Sequence, residues 1–82
     1  MTTRQALGRQ ELIELLNWEL AAYDECAGCR FASIHQLSEP DEVGSSWWDA
    51  QVLADHRLGL EEHFILRHVV EETRGRFDVR VH

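Results

Sequence analysis

The hydrophobic period of this chain changes three times, and that succession restricts the folds open to it more than any single motif does. From Gln10 to Tyr23 the apolar residues Leu12, Ile13, Leu16, Leu20 and Tyr23 fall within one arc when wound at about 100° per residue, while Glu11, Glu14, Asn17 and Glu25 point away. This is the pattern of an amphipathic helix, and Gly28 supplies the permissive backbone expected just past its end, near Asp24 to Gly28. From Arg30 to Ser38 the period shortens to two, with Ala32, Ile34 and Gln36 on one face and Phe31, Ser33, His35 and Leu37 on the other.

The segment Glu39-Pro40-Asp41-Glu42-Val43-Gly44-Ser45-Ser46 reads as a turn, because it combines a proline that cannot donate to a ladder, a glycine and short polar side chains. A second strand is predicted from Trp47 to Asp55. An antiparallel hairpin pairing Ile34 with Val52 also sets Ala32 against Ala54 and Gln36 against Ala50, which gives an inner face of small and branched side chains. The outer face then holds Phe31, Leu37, Trp47 and Leu53 beside His35, Asp49 and Gln51, and is too apolar to be left fully wet.

A second helix is predicted from Gly59 or Leu60, where Glu61 and Glu62 complement the positive end of the helix dipole, to Arg74 and the stop at Gly75. Its buried arc is Ile65, Leu66, Val69, Val70 and Thr73. Beyond it Phe77, Val79 and Val81 alternate with Asp78, Arg80 and His82 as a short strand. The order α-β-β-α-β predicts an α+β fold in two layers, with two helices packed on one face of a small, mostly antiparallel sheet. With 82 residues and no repeat or linker, one domain spanning 1–82 is expected. A domain of that size buries only about 60 % of its unfolded surface, so its stability is modest and a partner subunit is a natural source of more.

Charge narrows the partners. Fifteen Asp and Glu face eight arginines and no lysine, a formal net charge of −7, and phosphate backbones repel such a surface, so direct nucleic-acid binding is not expected. Between Glu39 and Glu62 the carboxylates Glu39, Asp41, Glu42, Asp49, Asp55, Glu61 and Glu62 are opposed by Arg57 alone. A basic protein surface is the complement of such a stretch, with Glu39, Asp41, Glu42 and Asp49 as its acidic contact residues; solubility is the alternative use of the same charge. The all-arginine basic set fits a GC-rich bacterial or phage genome. No stretch approaches the roughly 18 apolar residues of a membrane span and no signal-peptide pattern opens the chain, so the cytoplasm is the expected compartment and membrane attachment is not expected.

Two aromatic residues lack a place on the predicted buried arcs. Trp18 stands among Glu11 and Glu14, and Phe64 projects beside Arg67, His68 and Glu71. Together with Trp47 on the outer sheet face they supply the kind of side chain from which interface centres are built, and homodimerisation covers them most simply.

Chemistry is suggested only by Cys26 and Cys29, spaced C-A-G-C where the first helix gives way to a strand. Zinc needs four sulfur or nitrogen ligands, of which such a pair supplies two, and the other two must come from histidine. His63 and His68 are five residues apart on a helix, a rotation of about 140° that makes the rings diverge, so His35 and His56 are the alternatives. A redox centre places its cysteines at a helix N-terminus, whereas this pair follows a helix and lies beside Asp24 and Glu25, both of which raise thiol pKa values. In a reducing cytoplasm a structural disulfide is disfavoured, which leaves a small-residue corner as the plain structural use of the pair. Asp49, Gln51 and Asp55 share a strand face with His35 but have no nucleophile-base spacing, and no phosphate loop, dinucleotide fingerprint or HExxH motif occurs.

Glu11-Leu12-Ile13 with Leu16-Asn17 and Glu19-Leu20, Cys26 with Gly28, Arg30-Phe31, and Leu37 followed by Glu39-Pro40-Asp41-Glu42 and Gly44 resemble a group of short bacterial hypothetical proteins with no assigned activity. The resemblance covers the first half of the chain and ends around Trp47 and Trp48. It implies a bacterial origin and a compact α/β chain, and no functional residue. The reading that follows from the sequence is a small acidic, non-enzymatic interaction module, homodimeric, facing a basic protein as antitoxins and phage inhibitors do. The alternative is a zinc-binding or thiol-redox protein using Cys26 and Cys29, and the leading reading requires no cofactor.

Overall fold

The computed structural model describes residues 5–37, 39 and 46–80, apart from the side chains of Trp48 and Asp49. The chain forms an α+β fold in which strand β1 (Gln5–Leu7) leads into helix α1 (Arg9–Leu20), a 3-10 turn (Asp24–Cys26), strands β2 (Cys29–Gln36) and β3 (Trp47–Ala54), helix α2 (Leu60–Arg74) and strand β4 (Phe77–Val79). The predicted α-β-β-α-β order is therefore present, preceded by one strand that the sequence did not reveal. Three residues are too short a run for alternation to register, and β1 is held by pairing parallel to β4 at the far end of the chain.

The expected single sheet is two two-stranded sheets instead, an antiparallel β2–β3 pair and the parallel β1–β4 pair. Side chains join them. Ser46 Oγ accepts from Val79 N (3.0 Å), Ser46 N donates to Asp78 Oδ1 (3.0 Å), and Trp47 Nε1 donates to Phe77 O (3.0 Å). Among the described residues no helix is long and apolar enough to cross a membrane.

Both helices begin Gly-x-x-Glu. Glu11 reaches back to accept from Gly8 N (3.1 Å) and Glu62 does the same from Gly59 N (2.9 Å), each carboxylate satisfying an amide that no carbonyl of its own helix can reach. On α1 the buried residues are Leu12, Ile13, Leu16 and Leu20, as the periodicity predicts. Each such side chain contributes about 1.5–3 kcal/mol of burial. Helix α1 ends at Leu20, short of Tyr23, because the chain tightens there toward the 3-10 turn. On α2, Leu66, Val69 and Thr73 are buried as expected, but so is Arg74, whose Nε donates to Trp47 O (2.9 Å).

The hairpin differs from prediction in register. Phe31 pairs with Val52, Ile34 with Ala50 and Cys29 with Ala54. Ala32 in β2 and the backbone of Asp49 in β3 have no opposite number, so each strand carries a bulge, and each bulge reverses the alternation beyond it. Phe31 and Ile34 consequently face the same way, as do Trp47 and Ala50, and all four are buried. The simple register buries alanines and leaves the aromatics wet. The bulged one puts two large rings inside, and the greater apolar area removed from water favours it.

Trp47 is accordingly not an interface residue. It is completely buried and ranks with Phe31, Leu12 and Leu16 as one of the largest fully enclosed side chains. Asn17, expected to point to solvent, is also structural: its Oδ1 accepts from Phe31 N (2.7 Å) and its Nδ2 donates to Phe31 O (3.0 Å).

Candidate functional site

The 3-10 turn leaves Cys26 buried under α2, its thiol 4.0 Å from the Glu62 carbonyl oxygen. Gly28 then turns the chain with φ 88°, a left-handed conformation that side chains disfavour, and Cys29 opens β2. Across the hairpin end Asp55 N donates to Gly28 O (3.3 Å), and the Asp55 carboxylate lies over the glycine so closely that a Cβ there would stand 2.6 Å from Oδ1. The chain continues through His56 toward Gly59, the cap of α2.

Glu62 is the hub. While its Oε1 caps α2 through Gly59 N, its Oε2 lies 2.5 Å from His56 Nε2 and accepts from the Cys29 thiol at 3.7 Å. The other ring nitrogen, His56 Nδ1, lies 2.5 Å from Asp55 Oδ1. Imidazole between two carboxylates is a favourable place for a positive charge. Hydrogen bonding to Asp55, then to Glu62, raises the His56 pKa above its usual value, and the Gly59 amide followed by His56 lowers that of Glu62. The thiols shift the other way. Burial, then Glu62 and Glu25, raises Cys26; burial, then Cys26 and Glu62, raises Cys29.

Cys29, His56 and Glu62 thus present ligand atoms within 4.8 Å of one another, drawn from the start of β2, the β3–α2 connection and the first turn of α2. Both cysteines are free thiols. Burial and neighbouring carboxylates disfavour the thiolate of each cysteine, the opposite of the electropositive surroundings that activate a thiol.

Of the histidines considered from sequence, His56 alone comes near a cysteine, and that cysteine is Cys29. His63 lines a cleft between α2 and β3, and His68 lines a different surface beside Glu19 and Tyr23, so these two diverge as the helical spacing predicts. His35 sits near the opposite end of the hairpin, paired with Trp48. Asp55, expected on a strand face with Gln51, instead follows the last residue of β3 and serves His56, while Gln51 bonds Ser33 Oγ (3.1 Å). Sequence reasoning missed Glu62 as a site residue, although the shared Gly-x-x-Glu start of both helices is the signal that orients it.

The residues expected at an interface divide. Trp18 is 72 % exposed and Phe64 64 %, joined on α2 by Leu60 at 75 %, whereas Trp47 is core. Beside α2 runs an open cleft of about 480 Å³ with Phe31, Ala50, Val52, Leu58, Leu66 and Val70 in its walls. Glu39 is exposed; Asp41, Glu42 and the Asp49 side chain lie outside the described residues. No family model matches the chain, and neither a curated protein nor a solved structure does.

Proposed function

We propose that this chain is a non-enzymatic protein-interaction module that works as a homodimer and offers its acidic surface to a basic protein partner. The observation that carries the reading is the outer stripe of α2, where Leu60 and Phe64 stand uncovered one turn apart. Arg67 and Glu71 continue the same stripe and pair with each other (2.9 Å), so the contact zone is locally near neutral on a chain of net charge −7. A second copy can approach there with the carboxylate of the stripe, Glu71, already paired to Arg67. Such an isologous contact covers the apolar stripe of both copies at once. Glu39 is exposed and available to a basic surface.

Sedimentation or light scattering across the micromolar range tests this directly. A dimer is expected, together with a shift to monomer in Phe64→Glu that leaves circular dichroism unchanged. A wild-type monomer throughout that range overturns the reading.

A further inference from the structure

We propose that Cys29 Sγ, His56 Nε2 and Glu62 Oε2 form a zinc site with a fourth position open to water, held in geometry by Asp55. The donor set selects the ion. Calcium and magnesium demand oxygen throughout, whereas one thiolate, one imidazole and one carboxylate match the borderline-soft preference of Zn²⁺.

The geometry is close to what the ion needs. Tetrahedral bonds of about 2.3 Å to sulfur and about 2.1 Å to nitrogen and oxygen require a sulfur–oxygen edge of about 3.6 Å and a nitrogen–oxygen edge of about 3.4 Å. Cys29 Sγ and Glu62 Oε2 already stand 3.7 Å apart. His56 Nε2 and Glu62 Oε2, at 2.5 Å, share a proton whose place the metal takes, and they separate by about 0.9 Å as it enters. The Cys29 thiol proton leaves at the same time. Asp55 on His56 Nδ1 is the carboxylate–histidine arrangement that fixes the ring and increases its basicity toward a metal. Gly59, through the other oxygen of Glu62, fixes the third ligand in the same way. Cys26 lies outside this set, with its thiol directed to the Glu62 carbonyl oxygen.

This inference is independent of dimerisation, since none of its ligands lies on the α2 stripe. It is tested on the full chain by titrating Zn²⁺ in competition with a chromophoric chelator and by Co²⁺ substitution, which reports sulfur ligation as a charge-transfer band. Wild type should bind one equivalent. Cys29→Ser should weaken Zn²⁺ by at least 100-fold and abolish the Co²⁺ band, and His56→Gln should do the same to affinity. Asp55→Asn should weaken it about 10–100-fold, as loss of an outer partner does. Glu62→Gln keeps the helix cap, because glutamine also serves there, yet removes the anionic ligand. Cys26→Ser should bind like wild type. Absence of stoichiometric Zn²⁺, or unchanged binding in Cys29→Ser, overturns the site. Equal losses in Cys26→Ser and Cys29→Ser overturn the three-ligand assignment in favour of one using both cysteines.

Discussion

Asn17 and Phe31 are joined by a matched pair of hydrogen bonds in which the side-chain amide of one residue acts as a strand neighbour for the backbone of the other. Helix α1 is thereby docked on β2 by direction as well as by apolar contact. Phe31 is also the residue whose ring the bulge at Ala32 turns inward, so the amide fixes the backbone at the point where the register is decided. Asn17→Ala leaves a partly buried N–H and C=O without these partners and should cost about 1–3 kcal/mol, read as a lower urea midpoint. Asn17→Asp retains the acceptor, sets a carboxylate against Phe31 O, and should be destabilising above the aspartate pKa. Equal stability of Asn17→Ala and wild type would show that water replaces both bonds freely.

Trp47 and Trp18 should behave as opposites. Trp47→Ala empties a core position that is wholly buried and removes the Nε1 bond to Phe77 O, and should cost about 3–5 kcal/mol. That is much of the roughly 4–12 kcal/mol available to a domain of this length. Trp18→Ala should change monomer stability by no more than about 0.5 kcal/mol. Thermal or urea unfolding of both variants distinguishes the assignments, and a larger loss for Trp18 than for Trp47 would contradict them.

What the sequence made legible and what it hid have one cause. A helical stripe needs no partner to define it, so periodicity alone picks out Leu12, Ile13, Leu16 and Leu20 on α1 and Leu66, Val69 and Thr73 on α2. Strand faces depend on an unbroken alternation that two bulges interrupt, so alternation alone puts Trp47 and Phe31 on the wrong side. The site followed the same rule. Cys29 announced itself through its spacing, but His56 joins it only because the hairpin end and the α2 cap converge, which is a property of the fold and not of any local pattern.

His56 gives the metal-free protein a defined pH response, in the presence of chelator. Its folded pKa is raised above the ordinary 6.5 by Asp55 and Glu62, so the stability it contributes is complete below about pH 6.5 and is lost as pH rises through the folded value. Glu62 has its pKa lowered below the ordinary 4.5, so its contribution is complete above that value and is lost as pH falls through the folded one. The two contributions coexist between these limits. The urea midpoint should decline on the alkaline side, and His56→Gln should flatten that decline while weakening the acid limb only in part, because the Gly59 amide, the first cause of the lowered Glu62 pKa, remains. An unchanged alkaline limb in His56→Gln would remove the histidine from the account.

Gly28 ties the backbone to the same cluster. At φ 88° an alanine costs about 1–2 kcal/mol of backbone strain, and its Cβ would stand 2.6 Å from Asp55 Oδ1. Asp55 is exposed, so its carboxylate can swing away instead of forcing the hairpin apart. That movement breaks the contact with His56 Nδ1, the first cause of the raised histidine pKa. Gly28→Ala should therefore reduce stability by about 1–2 kcal/mol and also bring the His56 titration, followed by ring-proton NMR, back toward 6.5. Asp55→Asn separates the two effects, because it should lower the His56 pKa without the backbone cost. If Gly28→Ala loses stability while the His56 titration stays where it was, the carboxylate has not moved and the link between the glycine turn and the site is broken.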